Sequence, residues 1–286
     1  MKDFDAKLYQ LVDAALIEDI GEGDHSTLCC IPADAKGKAV LKIKQEGILA
    51  GIDVAEKIFR YRTPKAVFTR HKSDGEAMHH GEVAFEVEAP VHTILQCERL
   101  VLNIMQRMSG IATLTKLYTD KLQSYKTRLL DTRKTTPNFR LLEKEAVRIG
   151  GGTNHRFGLY DMIMLKDNHI DYAGGIEAAI ERAADYVERY KPGLKIEVET
   201  RSLQDVQKVV KAGIGKVHRI MLDNFVPADI TAAVTFIAGR VETEASGGIT
   251  LDTIQQYAET GVDYVSVGGL IHQAKSLDLS LKAVIK

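Results

Sequence analysis

The 286-residue chain has no tryptophan, three cysteines, six prolines and 6% aromatic residues. Cys29 and Cys30 are neighbours and Cys97 stands alone, with no CxxC and no Cys/His spacing suited to zinc. A disulfide framework and a zinc module are therefore excluded, and the expectation is a reducing, cytoplasmic setting with ordinary buried thiols. An excess of one charge is missing too. Lys+Arg number 38 against 39 Asp+Glu, a formal net charge of −1, which gives no global field to hold nucleic acid or an anionic membrane. No apolar run approaches the ~18–20 residues that a membrane-crossing helix needs. The opening MKDFDAKLYQLVDAALIEDIGEGD is acidic and amphipathic, unlike a secretory or mitochondrial leader. The absence of a GxxxxGK(S/T) segment, of GxGxxG at a strand–helix junction and of GxSxG removes support for P-loop, Rossmann and α/β-hydrolase chemistry.

What is present is 45% hydrophobic residues, enough for one large or two ordinary domains. Phe4, Leu8, Leu11, Val12, Ala15 and Leu16 fall at helical spacing. The alternating runs AVLKIKQ (39–45) and VAFEVEA (83–89) read as strands, with DVAEKIFRYR as a helix between them. This third of the chain is expected to be a small α+β domain with one solvated sheet face. His79-His80 lie in a polar stretch and read as a solvated loop. A long helical pattern from Thr93 to about Tyr125 is the expected domain junction, with Gly110 marking a break or a close contact.

Thereafter one unit recurs. LLDTRK (129–134), DMIMLKD (161–167), KIEVET (195–200), RIMLDN (219–224), VETEASGG (241–248) and DYVSVGG (263–269) are short apolar runs ending in polar residues, with helical text between the last four. Successive strands with helical crossovers form a parallel sheet, and six units instead of eight predict a barrel that is incomplete or open on one side.

In such a fold the carboxyl ends of the strands carry the site. Those ends bear Asp131, Thr132, Arg133, Lys134, Lys166, Glu197, Glu199, Asp223, Ser246-Gly247-Gly248 and Gly268-Gly269. Residues 126–169 hold nine Lys/Arg against five Asp/Glu. KEAVR, with Lys144 and Arg148, reads as a solvated helix face. DTRKTTP and GGGTNHR place cations in loops, where guanidinium forks match the oxygens of a multiply anionic ligand. Glu199 and Asp223 end neighbouring strands and suit Mg²⁺, directly or through water. The paired glycines suit phosphate on bare backbone N–H groups. Gly150-Gly151-Gly152 reads as a mobile lid or as slack.

At this point the chain resembles a known family. DTRKTTPNFRLLEKEAVRIGGGTNHRFGLYDMIMLKDNHI, with CERLVLNIMQRMSGIAT before it and IEVET, IMLDNF, EASGGI and VSVGGL after it, is similar to quinolinate phosphoribosyltransferases (nicotinate-nucleotide pyrophosphorylases, carboxylating) from about residue 90 to 280. The resemblance implies an N-terminal α/β sandwich (1–112), an open, incomplete TIM-like α/β barrel (113–270) and a C-terminal helical tail (271–286). It implies transfer of phosphoribosyl from 5-phosphoribosyl 1-diphosphate to quinolinate, with loss of CO₂, in NAD biosynthesis. It further implies quinolinate binding by Arg133, His155, Arg156 and Lys166, with Arg99 contributed by the neighbouring subunit of a homodimer or larger assembly. Lys134, Glu199 and Asp223 match residues that handle the ribosyl diphosphate and its Mg²⁺. Ser246, Gly247, Gly248, Gly268, Gly269 and Leu270 match the phosphate turns, and Thr132 joins the substrate-binding set. Ala245 and Gly269 depart from the commoner Ser and Ala, and both remain small.

Other readings compete: a nicotinate phosphoribosyltransferase without decarboxylation, a Schiff-base aldolase or decarboxylase using Lys166, a molybdenum-associated branch of the family, and a catalytically silent sensor barrel. The complete set of arginines, lysines and acids favours the quinolinate enzyme.

Overall fold

The computed structural model of the chain describes residues 3–284. Helices α1 (Phe4–Ile20) and α2 (His25–Cys30) are followed by β1 (Lys36–Ile43), β2 (Gly47–Ile48), α3 (Ile52–Arg62), β3 (Val67–Arg70), β4 (Ala77–Met78), β5 (Val83–Pro90) and α4 (Val91–Leu122). Next come β6 (Arg128–Leu130), α5 (Arg140–Ile149), β7 (Ile163–Leu165), α6 (Asp167–Ala173), α7 (Ile176–Tyr190) and β8 (Ile196–Thr200). The chain ends with α8 (Leu203–Gly213), β9 (Arg219–Asp223), α9 (Pro227–Ile237), β10 (Glu242–Ser246), α10 (Ile254–Glu259), β11 (Tyr264–Ser266), α11 (Gly269–His272) and β12 (Leu279–Ala283). No helix among the described residues is long and apolar enough to cross a membrane. The elements form two compact units. The first takes residues up to 116, 135–151 and those from 270 on; the second takes 117–134 and 152–269.

The first unit is built on an antiparallel sheet of order β12-β1-β5-β3. Alternation along β5 buries Phe85, Val87 and Ala89, and α3 buries Ile52, Ala55, Ile58 and Phe59. Phe59, Phe68 and Phe85 meet ring to ring at 4.4–6.3 Å. The expected helical tail is instead β12, whose Leu279–Ser280–Leu281 alternation buries both leucines against β1. The expected boundary at 112 falls inside the continuous helix α4. Gly110 is a close contact, not a break: a Cβ there would lie 2.0 Å from the Lys275 carbonyl oxygen.

Three local expectations are corrected. Gly150 is neither lid nor slack, being buried with a would-be Cβ 2.5 Å from the Ala112 carbonyl oxygen. Lys144 is not on a solvated face, since only 2% of it is exposed, whereas Arg148 is exposed as expected. Its neighbour Glu143, fully buried, accepts hydrogen bonds from Arg107 Nε and Nη2 (3.0 and 2.9 Å) and from the Thr136 N–H (2.8 Å). Cys97 is buried, but Cys29 and Cys30 are exposed, because the six-residue helix α2 buries only Thr27. His79 and His80 are solvated as expected.

The second unit is a six-stranded parallel sheet of order β6-β11-β10-β9-β8-β7, made of the six strands read from the sequence. Strand period two divides its residues. Ile196, Val198, Ile220, Leu222 and Ala245 share one face. Glu197, Glu199, Arg219, Asp223, Glu244 and Ser246 share the other, in register across β8, β9 and β10.

Candidate active site

Asp131, just past β6, is fully buried and fastens the two basic loops together. One carboxylate oxygen accepts the His155 backbone N–H at 2.8 Å and the other accepts Asn154 Nδ2 at 2.7 Å. Reciprocal backbone bonds, Thr153 N–H to the Leu129 oxygen and Asp131 N–H to the Thr153 oxygen, lay residues 153–155 beside the end of β6. The Thr132 hydroxyl accepts the Lys134 N–H at 3.0 Å and shapes the turn that carries the exposed Lys134.

This clasp brings Arg133 and Arg156 near one another. Burial, and then the Arg133 charge, hold the Arg156 guanidinium below its ordinary pKa. Two cations within electrostatic reach of each other in a half-buried place suit a ligand with two negative groups. Asp161 closes the following loop by accepting the Phe157 and Gly158 N–H groups at 2.6 and 2.8 Å.

A second cluster forms at the carboxyl ends of β7–β10. Asp223 is held above the usual carboxylate range by burial and then by the Glu199 charge, against the opposing pull of a Ser246 hydrogen bond and of Lys166 and Lys134. One carboxylate thus senses four of the residues expected at the rim. Lys166 Nζ is ion-paired with Glu199 Oε2. That contact ties Lys166 to the acid pair at the strand ends. Glu199 and Asp223 present oxygen donors whose charges repel, the donor chemistry that suits Mg²⁺.

The turn after β10 explains its glycines. Gly247 has φ +97°, and a Cβ there would sit 2.1 Å from Asn224 Oδ1; Gly248 has φ +63°. The Asn224 N–H donates to the Ser246 carbonyl at 2.8 Å and ties the β9 and β10 ends together. Gly268 and Gly269 follow β11 in the same unit. Arg99 and Leu270 belong to the first unit. Arg99 is exposed on α4 and, among the described residues, has no ion-pair partner.

Beneath the rim lies a charged cluster that the sequence reading missed. Glu197, expected at the rim, is fully buried, as is Glu244. His155 Nε2 stands 3.0 Å from Glu197 Oε2 and 3.2 Å from Glu244 Oε2. Arg219 reaches Glu244 at 3.0 Å and Glu242 at 3.1 Å and stacks on Tyr264, 4.0 Å from the ring centroid. The available signal was the placing of Glu197, Arg219 and Glu244 on one strand face, where a solvated rim needs no charge two residues below the strand ends.

Burial disfavours a charged His155, but the two carboxylates outweigh it and push its pKa up to about 9. The Arg156 N–H donates to Nδ1 at 2.7 Å, however, and needs a lone pair there. These demands conflict, and the hydrogen bond settles the ring in the form with its proton on Nε2, between the carboxylates. A histidine in that form cannot ligate a metal through Nε2, and Arg219 already supplies a cation to the acids. The triad His155–Glu197–Glu244 is therefore a charge network and not a metal centre.

Two family models match the chain: "Quinolinate phosphoribosyl transferase, N-terminal domain" over residues 24–109, and its C-terminal domain over 111–282. This chain belongs to the quinolinate phosphoribosyl transferase family. It is 44% identical over 288 residues to the chloroplastic nicotinate-nucleotide pyrophosphorylase (carboxylating) of Oryza sativa subsp. japonica, covering 96% of this chain and 77% of that protein. It is 40% identical to the probable nicotinate-nucleotide pyrophosphorylase (carboxylating) of Bacillus subtilis, covering 98% and 94%. The solved nicotinate-nucleotide pyrophosphorylase of Francisella tularensis superposes with TM-score 0.88 at 38% identity, covering 98% and 97%. The quinolinate phosphoribosyl transferase assignment accounts for the two larger sheets, the four-stranded antiparallel one and the six-stranded parallel one.

Proposed function

We propose that this chain is a decarboxylating quinolinate phosphoribosyltransferase, forming nicotinate mononucleotide, diphosphate and CO₂ in NAD biosynthesis. The observation that carries this reading is the approach of Arg133 to Arg156 at the rim of the parallel sheet, where Lys166 is held by Glu199. Quinolinate bears two adjacent carboxylates, and desolvating both together requires several fixed cations. Arg133, Arg156 and Lys166 supply them, while the exposed Arg99 completes the site from the partner subunit of a homodimer or larger assembly. His155 stands behind Arg156, its Nδ1 accepting the Arg156 N–H.

Ser246, Gly247, Gly248, Gly268 and Gly269 present backbone donors to the phosphates of 5-phosphoribosyl 1-diphosphate, with Thr132 shaping the Lys134 turn. Glu199 and Asp223 would hold Mg²⁺. When bound, the ion supplies positive charge toward the departing diphosphate. Lys134 stabilises the same leaving group. The pyridine nitrogen donates its lone pair to the anomeric carbon as the carbon–oxygen bond to diphosphate breaks. The ring nitrogen is then cationic, and its positive charge stabilises the electron pair left on the adjacent carbon when the neighbouring carboxylate leaves as CO₂. That carbon takes up a proton, and no side chain forms a covalent bond.

A nicotinate-specific enzyme is the second reading, favoured only if one of the two arginines is idle. Titrating the protein with quinolinate and with nicotinate decides between them. Quinolinate should bind tighter, and Arg133→Ala should erase most of the difference, at a cost of about 2–5 kcal/mol for a desolvated pair. Equal affinities would support the nicotinate reading.

A further inference from the structure

His155 carries two polar ring atoms, and the protein engages both. Nε2 is buried and faces Glu197 and Glu244 at 3.0 and 3.2 Å. Nδ1 accepts the Arg156 N–H at 2.7 Å, and the His155 backbone N–H is held by Asp131. Only 4% of the side chain is exposed. The carboxylates it faces are anchored in turn. Arg219 bridges Glu244 and Glu242, and its guanidinium lies on Tyr264. The base of this arrangement thus spans β8, β9, β10 and β11, the central strands of the sheet. A buried charge cluster is no better for stability than apolar packing of the same volume, so its place directly beneath a loop arginine calls for a role in that loop.

We propose that His155 is a positioning residue: its ring is a strut that joins the buried pair Glu197 and Glu244 to the backbone of Arg156 and serves the acceptor through the Arg156 guanidinium, without touching the acceptor itself. The proposal rests on the reading of Arg156 as an acceptor-binding residue. It also assigns work to Glu197, Glu244 and Arg219, three buried charged groups that the reaction itself does not use.

A double-mutant cycle on quinolinate affinity tests it, with His155→Phe, Arg156→Ala and the double variant measured by calorimetric titration. His155→Phe should weaken quinolinate binding about tenfold or more and leave the affinity for 5-phosphoribosyl 1-diphosphate unchanged. In the Arg156→Ala background the same change should cost nothing further. Additive losses would show a direct contact between His155 and quinolinate and overturn the strut. Unchanged affinity in His155→Phe would overturn it as well. If His155→Phe fails to fold, Glu244→Gln replaces it in the cycle, with the same coupled loss expected and an unchanged or additive effect overturning the proposal. Wild-type quinolinate affinity in Arg156→Ala would instead contradict the site reading on which the strut rests.

Discussion

Asp131 accepts the backbone N–H of His155 at 2.8 Å, across 24 residues of sequence, and through that bond the two arginine loops become one structure. Its second oxygen takes Asn154 Nδ2 at 2.7 Å. Asp131→Ala leaves both donors without this acceptor, at a cost of about 1–3 kcal/mol for the buried His155 N–H, whereas the exposed Asn154 amide can turn to water. The expected result is a lower denaturation midpoint together with weaker quinolinate binding, read by urea unfolding and by titration. Loss of stability with unchanged quinolinate affinity would separate Asp131 from the arginine cradle.

Glu199 and Asp223 should act on the other substrate. Asp223→Asn removes one of two mutually repelling carboxylates and keeps the volume. The Mg²⁺ concentration for half-maximal turnover and the KM for the ribosyl diphosphate should both rise, with quinolinate affinity little changed. Unaltered magnesium dependence in both Asp223→Asn and Glu199→Gln would place the metal elsewhere.

The two glycines after β10 should respond differently. Gly247→Ala meets Asn224 Oδ1 at 2.1 Å in a φ +97° conformation, whereas Gly248→Ala meets nothing within 4 Å and carries only the strain of φ +63°. Gly248→Ala should cost about 1–2 kcal/mol, and Gly247→Ala more, since Asn224 must also move. The check is the pair of unfolding midpoints, with the KM for the ribosyl diphosphate rising further in Gly247→Ala.

Arg99 is exposed and without an ion-pair partner among the described residues, and in the proposed assembly it completes the partner's site. Arg99→Ala and Lys166→Ala proteins should each be nearly inactive. Dissociating, mixing and reassembling them should restore activity, because a mixed dimer holds one fully wild-type site. No recovery, with subunit exchange verified independently, would contradict the shared site.

All six strands of the parallel sheet were legible because each is a short apolar run ending in a polar residue, with a helix-length gap before the next. The rim residues followed from that, and Asp223 does sense Lys134, Lys166, Glu199 and Ser246. Other features escaped because they depend on contacts distant in sequence. β12 is too short to outweigh an assumed helical tail until its pairing with β1 is seen. Gly150 looked like slack because the Ala112 carbonyl that crowds it is 38 positions away. Glu197 reads from the sequence as a rim residue because it lies near a strand end. His155 and Arg219, brought in from other segments, set positive and polar groups beside it.

The most direct test of the whole account is a magnesium-dependent incubation of the protein with 5-phosphoribosyl 1-diphosphate and quinolinate labelled in the carboxylate next to the ring nitrogen. The account predicts one labelled CO₂ released for each nicotinate mononucleotide formed. A mononucleotide that keeps both carboxylates, or no product with quinolinate and turnover with nicotinate, would contradict it.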